Sequence, residues 1–308
     1  MRIFLLLFPA ALLLSSCDNL VNGVVRDIDL PPHESQLAAS LFLDSRDSNI
    51  SAIVSSSKGI YDTGQSKSVS NAECVLAVGA TTYNWSTMDQ YERYTELLPD
   101  RFGVPTDSLV FTVNHPNFTS VSATQVFPSA PQVSLELNYG ATQLDGEISD
   151  ELVITLKDIP GVNQHYIISI DVHFRTALSG QDTAEYYNLY WETEYPNSTQ
   201  LRGRSRKIWG NSILSVGQES ALLLSEDGLD RDIKFSAATG VNPIDFAMLH
   251  EYRVKVSALS EEMYLFYKSY SAYENADGNP FAEPVVLYSN MSNNMGCFGV
   301  STTKRFYK

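Results

Sequence analysis

The feature that most constrains the fold is an alternation of apolar and polar residues with a period of two. In Tyr166–Arg175 the even positions are apolar or aromatic, and the odd positions are mostly polar. The same alternation recurs in residues 133–138 and 252–257. Because successive side chains of a strand point to opposite faces, these runs predict half-buried strands of antiparallel sheets. Clusters of Gly, Pro, Asn and Ser separate the runs, which is typical of β-sandwiches.

One segment departs from this alternation and predicts a short helix near the C-terminus. Ser260 can cap the helix, and Glu261 and Glu262 follow in the first turn, where the helix dipole favours negative charge. Apolar and aromatic residues then recur at helical spacing and predict a face against a sheet, namely Leu259, Met263, Phe266, Tyr267 and Tyr270. We therefore expect an all-β fold of two antiparallel β-sandwich-like domains with one short helix near the C-terminus.

The first seventeen residues predict export and lipid anchoring. A basic start and a short apolar run lead into Leu-Ser-Ser-Cys17, the pattern of a lipobox. Residues 1–16 are then the lipoprotein signal peptide, and Cys17 carries acyl chains that anchor the protein in membrane lipid. Since each buried methylene contributes about 0.8 kcal/mol, two or three chains give stable anchoring. An ordinary secretory signal with an incidental cysteine is the alternative.

The remaining chain divides into a tether and two β-rich regions. Residues 17–34 are polar and contain two adjacent prolines, which favour an extended, lipidated tether. The Pro-rich stretch 127–131 is the best boundary between an N-terminal β-sandwich domain, residues 35–129, and a C-terminal β-rich domain, residues 130–308. The mature chain is long enough to bury a large core and to form two domains.

Charge and cysteine usage narrow the class of partner. The formal net charge is −15 and the pI is near 4.7, so we expect no nucleic acid and no anionic lipid surface as partner. Cys74 and Cys297 have apolar neighbours and are predicted to be buried thiols, although an exported protein also permits a disulfide between them. No spacing of Cys and His suggests zinc, and we expect no cofactor.

Recognisable catalytic motifs are absent from the sequence, which has no Gly-x-Ser-x-Gly elbow, P-loop or His-Glu-x-x-His. We therefore do not expect an enzyme. A pair of carboxylates suited to hydrolysis remains an alternative, but the sequence does not fix the separation of Asp145, Glu147, Asp150 and Glu151. His165 and His173, at the two ends of one alternating run, are expected at the surface.

Two further clusters contain candidate binding residues. Four acidic residues around Gly228 form a weak candidate for calcium, with a solvated turn as the alternative: Glu226, Asp227, Asp230 and Asp232. Five aromatic residues in two segments are candidates for contact with a partner, with ordinary sandwich packing as the alternative: Tyr186, Tyr190, Trp85, Tyr91 and Tyr94.

Several motifs, taken in order along the chain, resemble one family of bacterial outer-membrane lipoproteins that is known only as a domain of unknown function, DUF4249. The matching N-terminal and middle segments are residues 27–34, 56–60, 69–72, 121–128 and 158–161. The C-terminal segments resemble it best and are the Tyr-rich helix after Leu259, Asn279-Pro280-Phe281, Tyr288-Ser289-Asn290-Met291 and Gly296-Cys297-Phe298-Gly299. Departures at 109–111 and at Cys297 are interpreted as variation within the core.

The resemblance implies a lipoprotein encoded beside a TonB-dependent transporter, but it supplies no catalytic or binding residues. We therefore expect a lipid-anchored accessory protein of an outer-membrane β-barrel transporter, located at the cell surface, that binds its partner or a ligand without catalysis. A periplasm-facing position is the alternative location. A structural or assembly component of the cell envelope is the alternative function, and a hydrolase with an unrecognised carboxylate site is a further one.

Overall fold

The computed structural model describes most of the chain after residue 32. The described residues are 33–59, 67–98, 108–144, 146–176, 182–185, 190–192, 199–201, 221–226, 232–238, 248–276 and 283–308. Those from 35 to 58 and from 67 onward belong to one compact unit, whereas His33, Glu34 and Gly59 belong to a second, small unit and lie in no helix or strand. Within these ranges, no helix is long and apolar enough to cross a membrane.

Strands make up most of the described chain. The first nine are β1 (Leu37–Asp44), β2 (Asn49–Ser56), β3 (Glu73–Val78), β4 (Thr81–Trp85), β5 (Tyr94–Leu97), β6 (Leu109–His115), β7 (Phe118–Gln125), β8 (Val133–Leu144) and β9 (Glu147–Leu156). They are followed by β10 (His165–Thr176), β11 (Asp182–Glu185), β12 (Tyr190–Glu192), β13 (Thr199–Leu201), β14 (Ala221–Ser225), β15 (Ile233–Ala238), β16 (Met248–Leu259), the helix α1 (Glu261–Ala276) and β17 (Phe298–Tyr307).

These strands form one large sheet and two small ones. The central sheet has the order β13-β14-β10-β16-β17-β1-β2-β5, with β11 beside β10. Its neighbours are antiparallel except for β1 and β17, the first and last strands, which run parallel with Leu41 opposite Phe298. The small sheets are antiparallel and have the orders β4-β3-β6-β7 and β12-β15-β9-β8.

Both small sheets lie against the same face of the central sheet. Phe298 and Val300 of β17 belong to the core beneath the β4-β3-β6-β7 sheet. Phe306, further along β17, packs against the core beneath the β12-β15-β9-β8 sheet. Since residues an even number apart in a strand point to the same side, the two cores lie on one face. The fold is therefore two sandwiches built on a shared central sheet.

The helix α1 covers the opposite face of the central sheet. Met263, Phe266 and Tyr267 pack there against Phe42 and Ile167, whose strand neighbours face the sandwich cores. Ser260 caps the helix, because its Oγ accepts the N–H of Met263 at 3.4 Å. A Cβ added at Gly299 of β17 would lie 2.8 Å from the Cβ of Met263, so the close approach of helix and sheet requires glycine there.

The predicted fold class is confirmed. The alternating runs form β8, β10 and β16, and the predicted helix spans Glu261–Ala276. Cys74 and Cys297 are buried free thiols, as predicted. Burial raises the pKa of the Cys74 thiol to about 12 and also raises the pKa of the Cys297 thiol. The predicted boundary near residue 129 lies between β7 and β8, and the central sheet takes strands from both sides of it, so the division into domains stays a prediction.

The C-terminal motif Gly296-Cys297-Phe298-Gly299 has a structural explanation. Gly296 has a φ of 101°, and a Cβ added to it would clash with the backbone of Ala39 in β1. Phe298 begins β17, and its backbone pairs with the side-chain amide of Asn290, which donates to the Phe298 carbonyl at 2.8 Å and accepts its N–H at 2.9 Å. The motif therefore seats the last strand beside the first.

Candidate partner-contact site

The aromatic residues predicted to contact a partner divide into two groups in the segment 85–94. Trp85, at the end of β4, is 3% exposed, and Tyr94, at the start of β5, is fully buried. Both belong to the core beneath the β4-β3-β6-β7 sheet, and Trp85 Nε1 donates to the carbonyl oxygen of Tyr94 at 3.1 Å. The prediction that these two rings contact a partner is wrong, because the core covers them.

Tyr94 instead fixes one end of the loop between the two strands, residues 86–93. Its hydroxyl donates to the carbonyl of Val69 at 2.7 Å and accepts the N–H of Ala72 at 2.9 Å. Burial raises the pKa of this hydroxyl, so it stays protonated and can donate at neutral pH. The buried Tyr94 thus ties the 86–93 loop to the segment that leads into β3.

Asp89 holds the same loop from within. Its Oδ1 accepts the backbone N–H groups of Tyr91 at 2.8 Å and Arg93 at 2.9 Å. Its Oδ2 forms an ion pair with the Arg93 guanidinium at 2.9 Å. Partial burial raises the pKa of Asp89, but the hydrogen bonds from Arg93 and Tyr91 outweigh it, and the pKa lies below its ordinary value. The carboxylate stays charged at neutral pH and closes the turn.

Tyr91 is the aromatic residue that the loop leaves at the surface. It is 67% exposed, and the Arg93 guanidinium carbon lies 5.1 Å from the centre of its ring. Tyrosine and arginine are enriched among the residues that contribute most to protein interfaces. Because the turn is already held by Asp89, a partner would meet an ordered Tyr91–Arg93 pair and lose little entropy in ordering it.

Three other predicted residues cannot be placed in this site. Cys17 and Tyr186 lie outside the described residues. Tyr190 lies in β12 opposite Ala238, but its side chain belongs to the part that the structure does not describe. Their predicted roles in anchoring and contact stay predictions.

The acidic cluster around Gly228 is only partly described. Glu226 is 1% exposed, and its carboxylate accepts the N–H of Gln164 at 3.2 Å. Burial raises the pKa of Glu226 to about 7. Asp232 is exposed and pairs with the ammonium of Lys157 at 2.5 Å. Asp227 and Asp230 lie outside the described residues. In the described part of the chain, no three His, Cys, Asp or Glu side chains converge on a possible metal site.

Three of the carboxylates considered for hydrolysis, Glu147, Asp150 and Glu151, lie in β9. Asp150 is fully buried, accepts the N–H of Gly140 at 2.9 Å and accepts the hydroxyl of Tyr252 at 2.8 Å. Glu151 accepts a hydrogen bond from the Asn138 amide at 3.1 Å. Both carboxylates therefore have structural partners around an irregularity in β8, and Asp145 lies outside the described residues.

His165 is buried, whereas its place at the end of an alternating run predicts a surface position. Its exposed fraction is 4%, its Nδ1 lies 2.9 Å from the Oγ of Ser225, and its ring stacks on Tyr264 with centroids 4.2 Å apart. Tyr264 belongs to α1, which covers this face of β10. The expectation of a surface position for His165 was therefore wrong. The side chain of His173 is outside the described part.

A buried polar cluster at the β1–β2 turn was not predicted. The carboxylate of Asp44 accepts the hydroxyls of Ser301, at 2.7 Å, and Thr303. Asp47 accepts the N–H of Asp44 at 2.8 Å. Burial raises the pKa of Asp47 to about 7, and the neighbouring charge of Asp44 adds to the effect. The residues come from opposite ends of the chain, so no local sequence pattern could have revealed the cluster.

The described residues define a mostly β protein with two sandwiches on a shared central sheet and a candidate contact loop beside the edge strand β5. The chain belongs to the family described as Domain of unknown function (DUF4249), which matches residues 26–306. No curated protein matches the chain.

One solved structure with a distant likeness is described as the structure of Yersinia pseudotuberculosis adhesin InvE. Its sequence identity to this chain is 11% and the TM-score is 0.21. The match covers 73% of this chain and 55% of the adhesin chain, so this chain spans about half the length of that protein. A likeness this distant bears on neither fold nor function.

Proposed function

We propose that the protein is a lipid-anchored accessory protein of an outer-membrane β-barrel transporter of the TonB-dependent kind. Acylated Cys17 holds it in the outer membrane, and the 86–93 loop contacts the partner without catalysis. Three observations support this: the lipobox at Cys17, membership of the DUF4249 family, and the ordered, exposed Tyr91–Arg93 pair.

The Tyr91–Arg93 pair is the observation that carries the proposal. The Tyr91 ring is 67% exposed, so both its apolar body and its hydroxyl are accessible to a partner. Here the Asp89 carboxylate accepts three of the loop's hydrogen bonds, two of them from backbone N–H groups, and the ring points outward. Aromatic and arginine side chains in a fixed geometry are what a protein partner would bind most strongly.

The segment after Cys17 is long enough to let the folded part lie away from the bilayer, and the negative charge of the protein gives it little attraction to anionic lipid. The chain from Cys17 to His33 spans at most about 55 Å when fully extended. A net charge of −15 disfavours contact with anionic lipid, so the body can stand off the membrane. That arrangement suits contact with the parts of a barrel protein that project beyond the bilayer.

Co-purification from detergent-solubilised envelopes tests the proposal. We expect the tagged, acylated protein to recover a barrel transporter in stoichiometric amount, and Tyr91→Ala and Arg93→Ala to lower the recovery. Tyr307→Ala is the matched control, since Tyr307 is 56% exposed with the Arg253 guanidinium carbon 5.9 Å from its ring centre. Recovery of the protein without any barrel partner would contradict the proposal.

The lipid anchor is tested separately. Cys17→Ala should release the protein from the membrane fraction and leave the described sheets unchanged, because Cys17 lies in none of their strands. Metabolic labelling with an alkyne fatty acid should mark the unmodified chain and not Cys17→Ala. Labelling of both chains, or of neither, would count against Cys17 as the anchor.

A further inference from the structure

The strand β8 forms one edge of the β12-β15-β9-β8 sheet. Among the described strands only β9 pairs with it. The N–H of Lys157 donates to the carbonyl of Gln132 at 2.8 Å, so Gln132 and Lys157 are a hydrogen-bonded pair of this ladder. Because bonded and non-bonded pairs alternate along an antiparallel ladder, Ser134 and Glu136 also bond to β9. The N–H and C=O groups of Val133, Leu135 and Leu137 therefore point away from β9, toward the open edge of the sheet.

The side chains of these three residues are incompletely covered. Val133, Leu135 and Leu137 pack against the core beneath this sheet but are only partly buried. Their partners across the ladder, Leu156, Ile154 and Leu152, are fully buried. Burial thus falls from complete on β9 to partial on β8. One more strand beside β8, with apolar residues in the same row, would complete the core and satisfy the outward backbone groups.

The other face of β8 is polar and contains one carboxylate, that of Glu136. Ser134, Glu136 and Asn138 are exposed, and Asn138 lies beside Glu151, to which its amide donates. The strand contains no Lys or Arg. A neighbouring strand that places a basic residue opposite Glu136 would therefore be favoured. A second copy would bring a second Glu136 and another net charge of −15, which disfavours self-pairing at this edge.

An irregularity limits the length of edge that can be paired. The β8–β9 register shifts between Asn138 and Thr142. Within this stretch Gly140 has a φ of 59° and donates its N–H to the buried carboxylate of Asp150. Because such a bulge ends regular pairing, only the segment from Val133 to Leu137 offers an unbroken ladder.

We propose that the β8 edge from Val133 to Leu137 binds an extended segment of a partner protein, in which apolar and basic residues alternate, as an added strand. Backbone hydrogen bonds to the outward N–H and C=O groups of Val133, Leu135 and Leu137 supply the affinity. The side chains of these three residues, together with Glu136, supply the selectivity. This surface belongs to a different sheet from the 86–93 loop, so the proposal stands independently of the proposed function.

Binding of a short synthetic peptide to the full-length acylated protein in detergent tests the proposal. The probe is fluorescein-labelled Thr-Val-Lys-Val-Lys-Val-Thr, which places three valines in the apolar row, and the comparison peptide has Glu in place of both Lys. We expect the Lys peptide to bind at least about tenfold more tightly by fluorescence anisotropy. Glu136→Lys should reverse this order. No binding of the Lys peptide, or equal affinity for both peptides, would overturn the proposal.

Two variants separate backbone pairing from side-chain contact. Leu135→Pro removes an outward N–H that β9 does not use, so the sheet should fold, whereas Leu135→Ala removes a similar apolar group and keeps the donor. We expect Leu135→Pro to bind at least about tenfold more weakly than Leu135→Ala at similar melting temperature. Equal binding by the two variants would overturn the proposal. Dimerisation through this edge, measured by analytical ultracentrifugation, would also overturn it, because a second copy would then occupy the edge.

Discussion

The carboxylate of Asp89 makes three interactions with Arg93, one with its backbone N–H and two with its guanidinium group. The carboxylate accepts the N–H of Arg93 at 2.9 Å, its Nε at 3.1 Å and its terminal nitrogen at 2.9 Å. The pair closes the 86–93 loop and places Tyr91 at the surface. The contact residue and the residues that position it are thus different, although all lie within a few residues of one another.

Replacing Asp89 should loosen the loop and leave the core unchanged. Asp89→Ala removes the acceptor for the N–H groups of Tyr91 and Arg93, and we expect a loss of stability of about 1 kcal/mol. Hydrogen exchange at Tyr91 and Arg93 should quicken, while exchange at Leu76 should not. Asp232→Ala, which removes an exposed carboxylate with two donors in another loop, is the control. Unchanged exchange at Tyr91 would mean that Asp89 does not order the turn.

The order that Asp89 gives should also depend on pH. The pKa of Asp89 is lowered in the folded protein, so its contribution to stability is present above the unfolded pKa and is lost as pH falls through the folded pKa. We expect exchange at Tyr91 to quicken only in strongly acidic solution. In Asp89→Ala, exchange corrected for its intrinsic pH dependence should show no such transition.

The hydroxyl of Tyr94 should contribute measurably to global stability. Tyr94→Phe leaves the Val69 carbonyl and the Ala72 N–H without their partner in the core, which costs about 1 to 3 kcal/mol. Urea unfolding monitored by circular dichroism measures the difference. Tyr91→Phe is the matched control and should change stability by less than about 0.5 kcal/mol, because that ring is exposed. An equal effect of both substitutions would contradict the assignment of Tyr94 to the core.

The elements that local patterns specify could be predicted from the sequence. The strands β8, β10 and β16 follow from period-two alternation, and α1 follows from a capping serine and an aromatic face at helical spacing. The parallel pair of β1 and β17 could not be predicted, since it joins segments more than 250 residues apart and has no local signature. The shared central sheet depends on that pair.

The candidate site was predictable as a segment but not residue by residue. The sequence marks Trp85, Tyr91 and Tyr94 as aromatic, yet which rings are buried depends on the core that the β4-β3-β6-β7 sheet forms with the central sheet. The same limit applies to His165. It occupies a polar position of an alternating run, but α1 covers that face of the sheet and places Tyr264 against its ring.

Gly296 and Gly161 separate backbone conformation from close contact. Both have positive φ, 101° and 79°, so alanine is strained at either position by about 1 to 2 kcal/mol. A Cβ at Gly161 would meet nothing within 4 Å, whereas one at Gly296 would lie 2.6 Å from the carbonyl carbon of Ala39. We therefore expect Gly161→Ala to fold with modest destabilisation and Gly296→Ala to lose the native fold or several kcal/mol more. Similar urea midpoints for the two variants would contradict the close seating of β17 on β1.

Asp47 should make the protein less stable as the solution becomes more alkaline. Its pKa in the folded state is about 7, mainly because of burial, whereas the unfolded chain has the ordinary value near 3.8. Between these two values the folded protein holds a proton that the unfolded chain releases. The contribution of Asp47 to stability is therefore fully present below about pH 4 and is lost as pH rises through 7. Lys255 lies near enough to lower the pKa in part, and Asp44 raises it.

Asp47→Asn tests this linkage, because the amide can still accept the N–H of Asp44 but cannot ionise. At pH 8 we expect the variant to be more stable than the parent chain by on the order of 1 to 3 kcal/mol, and at pH 4 the difference should be close to zero. Urea unfolding at both pH values measures it. Because Glu226 also has a raised pKa of about 7, the remaining pH dependence of Asp47→Asn should decrease further in the double variant with Glu226→Gln. A difference between parent and Asp47→Asn that does not change with pH would mean that Asp47 is ionised in the folded protein at both values.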